Sequence, residues 1–224
     1  MNRRKLFSWL FISLIVLSFH AAAQDEPHPF WNDIQAFKKK DSAAFPPSNE
    51  ILFVGSSSFT NWTDVQDYFP SYPVINRGFG GSSLTDVIRY ADDIIYPYKP
   101  KQVVIYCGEN DLASSDSVTA QTVFERFKIL FSMIRGRFKN IPLLYISLKP
   151  SPSRAKLMPK MVAVNNAIQA FLKKKKNAVF IDVYHKMLGA DGKPVDDIFL
   201  DDKLHMNSKG YAIWQKEIAP YLLK

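Results

Sequence analysis

Apolar residues along the chain follow two alternating patterns. Short, continuous apolar runs predict buried β-strands, and they lie at 51–54, 74–75, 103–106, 143–146 and 179–181. Between and after these runs, apolar residues recur at the three- and four-residue spacing of an amphipathic helix. These segments predict helices near 30–40, 84–95, 124–134, 161–172 and 211–222.

This alternation predicts a single α/β domain over residues 24–224. Strands that are joined by helices pair in parallel, and the helices then cover both faces of the sheet. Burial on both faces explains why the strand runs are continuously apolar. We therefore expect a three-layer α/β/α sandwich with about five parallel strands.

The first 23 residues have a different pattern. A basic start at 2–5 precedes an almost wholly apolar stretch at 6–19, and three alanines follow at 21–23. This order is typical of a secretory signal peptide that is cleaved near Ala23. An uncleaved membrane anchor is the alternative, but the stretch is short for a membrane span. We expect export to a periplasm or out of the cell, with no stable membrane insertion after cleavage.

Charge and composition exclude several other functions. Removing the three cations of the signal peptide lowers the formal charge from +8 to +5, and the lysine runs at 38–40 and 173–176 fall at predicted helix ends. Solvated helix ends explain such runs better than a nucleic-acid site does. Cys107 is the only cysteine, which excludes an intrachain disulfide and predicts an inert buried thiol. The histidines lack metal-ligand spacing, so we expect neither a metal nor an organic cofactor. The sequence gives no indication of the oligomeric state.

Polar residues follow the predicted strands at the places where ligands usually bind. In open parallel sheets, ligands bind at the carboxyl ends of the strands. Polar or glycine-rich segments occupy these positions at 55–58, 76–82, 108–111 and 149–154, and another segment at 202–205 precedes the last helix. Each alone is explained better by a turn or a helix cap than by a functional role. Together they supply the parts of acyl-transfer chemistry.

Acyl transfer by serine needs a base and a set of hydrogen-bond donors. A histidine is poised to take the serine proton near neutral pH, and a carboxylate must orient that histidine. Asp202 lies three residues before His205 and can orient it from the same loop. Backbone and side-chain amides would stabilise the oxyanion that forms on the attacked carbonyl.

Four motifs, in this order, resemble the SGNH hydrolase superfamily, also called the GDSL esterase/lipase family. The segments at 53–58, 76–81, 108–111 and 202–205 match its four blocks. The pair formed by the third and fourth blocks is a specific signal, whereas the first block alone would be weak. The resemblance extends from about 51 to 211, and it implies a flavodoxin-like fold and an ester hydrolase.

The resemblance also implies a role for five residues. Ser57 takes the position of the nucleophile, His205 that of the base and Asp202 that of the orienting acid. Gly81 and Asn110, together with the backbone N–H of Ser57, take the positions of the oxyanion donors.

The first block departs from the family pattern at one position. The family usually has Gly-Asp-Ser, and Ser56 replaces the aspartate here. Because that aspartate is not the orienting acid, the catalytic set is retained. The change leaves Ser56 and Ser58 as minor rivals of Ser57 for the role of nucleophile.

The segment at 149–154 follows the fourth strand and should border the same site. Lys149 and Arg154 are therefore candidates for binding a polar or anionic group of the substrate. Surface charges beside a rigid Pro-x-Pro turn are an equally good explanation. No role for Glu109 follows from the sequence.

Three functions agree with these motifs. The first is hydrolysis of a small acyl ester, such as an O-acetyl group on a carbohydrate, which suits a short, exported chain with a polar rim. The second is a lysophospholipase or thioesterase, with Phe59, Phe79 and Phe199 either lining an acyl groove or lying in the core. The third is a catalytically inactive binding module on the same scaffold.

Overall fold

Five parallel strands form one sheet in the computed structural model of the protein, which describes residues 28–224. The strands are β1 (Ile51–Gly55), β2 (Val74–Gly78), β3 (Gln102–Tyr106), β4 (Leu143–Ile146) and β5 (Ala178–Ile181). Their order across the sheet is β2-β1-β3-β4-β5. The predicted signal peptide at 1–23 lies outside the described residues.

Helices follow or precede each strand. They are α1 (Trp31–Ala43), α2 (Ser57–Thr60), α3 (Val65–Tyr68), α4 (Leu84–Arg89), α5 (Ala91–Ile94), α6 (Glu109–Ser114), α7 (Ala120–Arg137), α8 (Met158–Leu172) and α9 (Ser208–Ile218). Short 3₁₀ helices lie at Tyr96–Tyr98, Pro152–Leu157, His185–Met187, Asp196–Ile198 and Ala219–Tyr221. Within the described part of the chain, none of the helices combines the length and apolar character that crossing a membrane requires.

Successive side chains of each strand enter two separate cores. Leu52 and Val54 of β1 belong to a core shared with α1, α4, α5, α7 and α8. Ile51 and Phe53 of the same strand belong to a second core, which contains Trp62 and residues of α2, α3 and α9. This period-two division of the strand residues buries both faces of the sheet. The predicted three-layer α/β/α fold is therefore confirmed.

The strand order creates a gap at one edge of the sheet. β1 pairs in parallel with β2 on one side and with β3 on the other. The chain runs from β1 to β2 on one side and then crosses to β3 on the other side of β1. The position between β1 and β3 is therefore the switch point of a flavodoxin-like order. Segments that leave the carboxyl ends of β1 and β3 diverge around a crevice at this point.

Two elements differ from the sequence pattern for identifiable reasons. β2 continues past its apolar residues because Arg77 is buried, where its guanidinium donates to Tyr98 at 2.6 Å and pairs with Asp41. The single helix predicted at 84–95 is interrupted at Tyr90, which has non-helical dihedrals. The Tyr90 ring is buried and its hydroxyl donates to the carbonyl of Pro29 at 2.8 Å.

Gly55 permits the close approach of β1 to β3 at the crevice. Its φ of +145° lies in a region that side chains rarely adopt, and a Cβ built on it would lie 1.9 Å from the carbonyl oxygen of Tyr106. Only glycine fits here without displacing the backbone of the neighbouring strand.

We expect Gly55→Ala to lower the free energy of unfolding by roughly 3 kcal/mol or more, because the new methyl group adds both steric overlap and backbone strain. Gly136→Ala is the matched control, since Gly136 lies in α7 and has no atom within 4 Å of a built Cβ. That control should gain about 0.5–1 kcal/mol. Urea denaturation measures both changes, and equal stability of the two variants would contradict the account.

Candidate active site

Ser57 lies at the start of a helix that follows β1 directly. Ser56 is extended and precedes α2, and its N–H donates to the carbonyl of Tyr106 at 3.1 Å. The carbonyl of Ser56 accepts from the N–H of Phe59 at 2.9 Å, which closes the first turn. This turn holds Ser57 at the carboxyl edge of the sheet, with its side chain partly exposed.

His205 reaches this serine from a loop before α9. Its Nε2 lies 3.0 Å from Oγ of Ser57, and its Nδ1 lies 2.5 Å from Oδ2 of Asp202. The other carboxylate oxygen of Asp202 accepts from the N–H groups of Leu204 and His205, at 2.9 Å each. The carboxylate thus fixes both the loop backbone and the imidazole ring.

The hydrogen bonds of Asp202 keep it ionised. Burial alone would raise the pKa of this carboxyl group. The backbone and side chain of His205 and the backbone N–H of Leu204 outweigh that effect, and they lower the pKa of Asp202 to about 2. An ionised Asp202 accepts a hydrogen bond from Nδ1–H of His205, which leaves Nε2 free to accept the proton of Ser57.

The rival serines are placed differently. Ser56 and Ser58 are buried, at 2% and 3% exposure. Among residues 28–224, Ser57 is the serine whose Oγ lies within hydrogen-bond distance of His205. The replacement of the usual aspartate by Ser56 therefore leaves this contact in place.

The glycine-rich loop after β2 is held against the ends of both neighbouring strands. Ser82 is fully buried, and its Oγ donates to the carbonyl of Gly55 at 3.2 Å. Its own backbone carbonyl accepts from Nδ2 of Asn110 at 3.0 Å. Gly81 has a φ of +83°, which turns the chain just before these contacts. These contacts attach Ser82, the residue after Gly81, to the last residue of β1 and to Asn110.

Asp111 fixes the same loop from the other side. Its carboxylate is fully buried, accepts from the N–H of Leu84 at 2.8 Å and pairs with Arg126 at 2.7 Å. Since Leu84 begins α4, this bond attaches the loop after β2 to the helix that follows β3. No role was expected for Asp111 from the sequence, beyond its place in the motif.

Two backbone N–H groups in the crevice are available to a ligand. Among the hydrogen bonds of the described residues, the N–H groups of Ser57 and Gly81 have no protein acceptor. Asn110 uses one amide proton for Ser82 and retains a second. The oxyanion role of Ser57, Gly81 and Asn110 stays a prediction.

Lys149 is buried, at 1% exposure, and its ammonium lies 3.3 Å from Oε2 of Glu109. Its expected role in binding substrate stays a prediction. Arg154 is partly exposed and donates to Oδ1 of Asn110 at 2.9 Å. Buried ion pairs of this kind leave no periodic sequence signal, because the partners are 40 or more positions apart.

Cys107 is fully buried at the end of β3, as the sequence predicted. Burial raises the pKa of its thiol well above the usual value. A neutral, enclosed thiol is a poor nucleophile.

A second Asp-x-x-His segment lies at a different place in the fold. Nδ1 of His185 lies 2.6 Å from Asp182, in the same spacing as His205 and Asp202, but the His185 side chain is 70% exposed. Among the described residues, no serine lies within hydrogen-bond distance of its ring. The Asp-x-x-His spacing thus occurs at both places, and His205 is the one of these two histidines that contacts Ser57.

Ser57, His205 and Asp202 form one hydrogen-bonded series at the switch point of a flavodoxin-like sheet. A sequence model of the GDSL-like lipase/acylhydrolase family matches residues 46–213. The chain therefore belongs to this family. None of the curated proteins compared with it matches the chain.

Several solved structures share the fold. A GDSL-like lipase from Bacteroides thetaiotaomicron is 20% identical, with a TM-score of 0.72 over 84% of this chain and 95% of that one. A variant of an acetyl-xylooligosaccharide esterase from Geobacillus is 14% identical, with a TM-score of 0.62 over 78% and 94%. A carbohydrate esterase of family 3 from Talaromyces cellulolyticus is 18% identical, with a TM-score of 0.58 over 77% and 95%.

Proposed function

We propose that the protein hydrolyses small acyl esters through a Ser57 acyl-enzyme. The contact of Ser57 Oγ with His205 Nε2, 3.0 Å in length, carries this proposal. Ser57 attacks the ester carbonyl while His205 takes the hydroxyl proton, and His205 then gives that proton to the departing alcohol. Water, deprotonated by His205, attacks the acyl-enzyme and releases the carboxylic acid. Asp202 orients the ring and stabilises the imidazolium.

The oxyanion of both tetrahedral intermediates would bind the three available donors. These are the N–H groups of Ser57 and Gly81 and the free amide proton of Asn110. Donors that are already held in place need no reorganisation when the charge develops, which is why they favour the transition state over the ground state. Ser82 and Asp111 support this role, because they hold the loops that carry Gly81 and Asn110.

The burial of three aromatic side chains favours a short acyl group. Phe59 and Phe79 are fully buried and Phe199 is 5% exposed, so they form core rather than an open acyl groove. A lysophospholipase or long-chain thioesterase would need such a groove. The fold shared with an acetyl-xylooligosaccharide esterase supports acetyl groups on a carbohydrate as the substrate. The sequence pattern of a signal peptide supports action in a periplasm or outside the cell.

A series of chromogenic esters with increasing acyl length tests this proposal. We expect kcat/KM to be greatest for acetate and to fall for butyrate and longer chains, because Phe59, Phe79 and Phe199 are buried and do not line a groove for them. Acetylated xylo-oligosaccharides should be cleaved in the same preparation, and Ser57→Ala serves as the blank. Faster cleavage of octanoate than of acetate, or of lysophospholipid micelles alone, would reject the short-acyl assignment.

Asp202→Asn should lower kcat by roughly 10³–10⁴-fold, because an amide no longer selects the imidazole tautomer that accepts the serine proton. With the pKa of Asp202 at about 2, the wild-type carboxylate stays ionised in any assay above pH 4. The deficit should therefore persist across that range.

Asp182→Asn is the matched control, since it removes the same kind of contact from His185. Its kcat should equal that of the wild type. A comparable loss in both variants would mean that activity follows general stability and not the orientation of His205.

A further inference from the structure

A buried charged cluster lies directly behind the proposed oxyanion site. Glu109 pairs with Lys149 at 3.3 Å and with Arg154 at 3.1 Å, and it also accepts from the hydroxyl of Tyr106. Glu109 and Lys149 are 4% and 1% exposed. We define these residues, Glu109, Lys149 and Arg154, as the Glu109 cluster.

Burying such charged residues contributes little net stability to a fold. Removing ionised groups from water is unfavourable, and apolar replacements of similar volume are often at least as stable. Burial alone would raise the pKa of Glu109, but the two cations outweigh it and lower that pKa. The carboxylate is therefore ionised and holds both cations in place. A function beyond packing explains the cluster better.

Arg154 connects the cluster to Asn110. Its Nη1 contacts Glu109, while its Nη2 donates to Oδ1 of Asn110 at 2.9 Å. A guanidinium can only donate hydrogen bonds, so the amide atom that faces it must be the oxygen. The amide nitrogen of Asn110 then necessarily lies on the opposite side, where it donates to Ser82.

A cationic donor also changes the electronic character of the amide. A charge-assisted hydrogen bond to the amide oxygen withdraws electron density and makes the N–H protons better donors. The cluster carries two cations and one carboxylate, so its formal charge favours an anion nearby. Orientation and polarisation therefore act in the same direction on the group that would bind the oxyanion.

We propose that Arg154 is a positioning residue, which orients and polarises Asn110 for oxyanion binding, and that Glu109 and Lys149 hold Arg154 for this purpose. The inference rests on the proposed function of the site. It differs from the expectation drawn from the sequence, in which Arg154 binds the substrate directly. A direct substrate contact would act without Asn110, and a positioning contact would not.

A double-mutant cycle on kcat and KM for an acetyl ester separates the two. Arg154→Ala should lower kcat by roughly 10–100-fold with KM changed by less than about threefold, because the contact matters mainly when the oxyanion forms. Asn110→Ala should cost about 10²–10³-fold. The double variant should be as active as Asn110→Ala alone, within about threefold, since Arg154 then has no amide to act through.

A conservative variant and a remote arginine provide the controls. Arg154→Lys keeps the charge but lacks the planar guanidinium that contacts Glu109 and Asn110 at the same time. Its kcat should therefore lie between those of the wild type and Arg154→Ala. If the alanine variant does not fold, the lysine variant replaces it in the double-mutant cycle. Arg135→Ala removes an arginine that donates to the carbonyls of Lys176 and Asn177 at 2.8 Å each, beside the amino end of β5. It should lower the melting temperature without changing kcat.

The outcomes distinguish this inference from the function on which it rests. Three results would each overturn the positioning role. In the first, the losses of the single variants multiply in the double variant. In the others, Arg154→Ala changes KM alone or leaves kcat unchanged. Those results leave the proposed function intact as long as Ser57→Ala is inactive. Retention of full activity in Ser57→Ala would instead reject the proposed function itself.

Discussion

The crevice between the carboxyl ends of β1 and β3 decides where every polar residue of the site lies. Gly55 lets β1 approach the backbone of Tyr106 closely, and the chain then turns at once into the helix that begins with Ser57. Asn110 follows β3 in the same way, on the other side of the gap. The strand order reverses at this point, and in the sheet formed by residues 28–224 it reverses nowhere else.

Much of this arrangement could be predicted from the sequence, because it depends on local patterns. Continuous apolar runs mark the strands. The third and fourth motifs, at 108–111 and 202–205, mark the loops that carry Asn110 and His205. The pattern failed where polar residues are buried: Arg77 made β2 appear shorter than it is. It also missed α2 and α3, since helices of four residues are too short for a periodic signal.

Ion pairs between residues far apart in the sequence could not be predicted from any local pattern. Glu109 and Lys149 are 40 positions apart, and either would be expected on the surface when taken alone. Their burial is explained only by the other residues of the Glu109 cluster and by its contact with Asn110. In the proposed mechanism, an ionised Asp202 lies beside the base and a largely cationic cluster lies beside Asn110, which suits a reaction that separates charge between them.

The central claim is that Ser57 is the nucleophile. Intact-mass measurement after treatment with a fluorophosphonate, followed by peptide mapping, tests it most directly. The account predicts one adduct per chain, located on Ser57 in the wild type and absent from Ser57→Ala. An adduct on Ser56 or Ser58, or undiminished labelling of the variant, would contradict it.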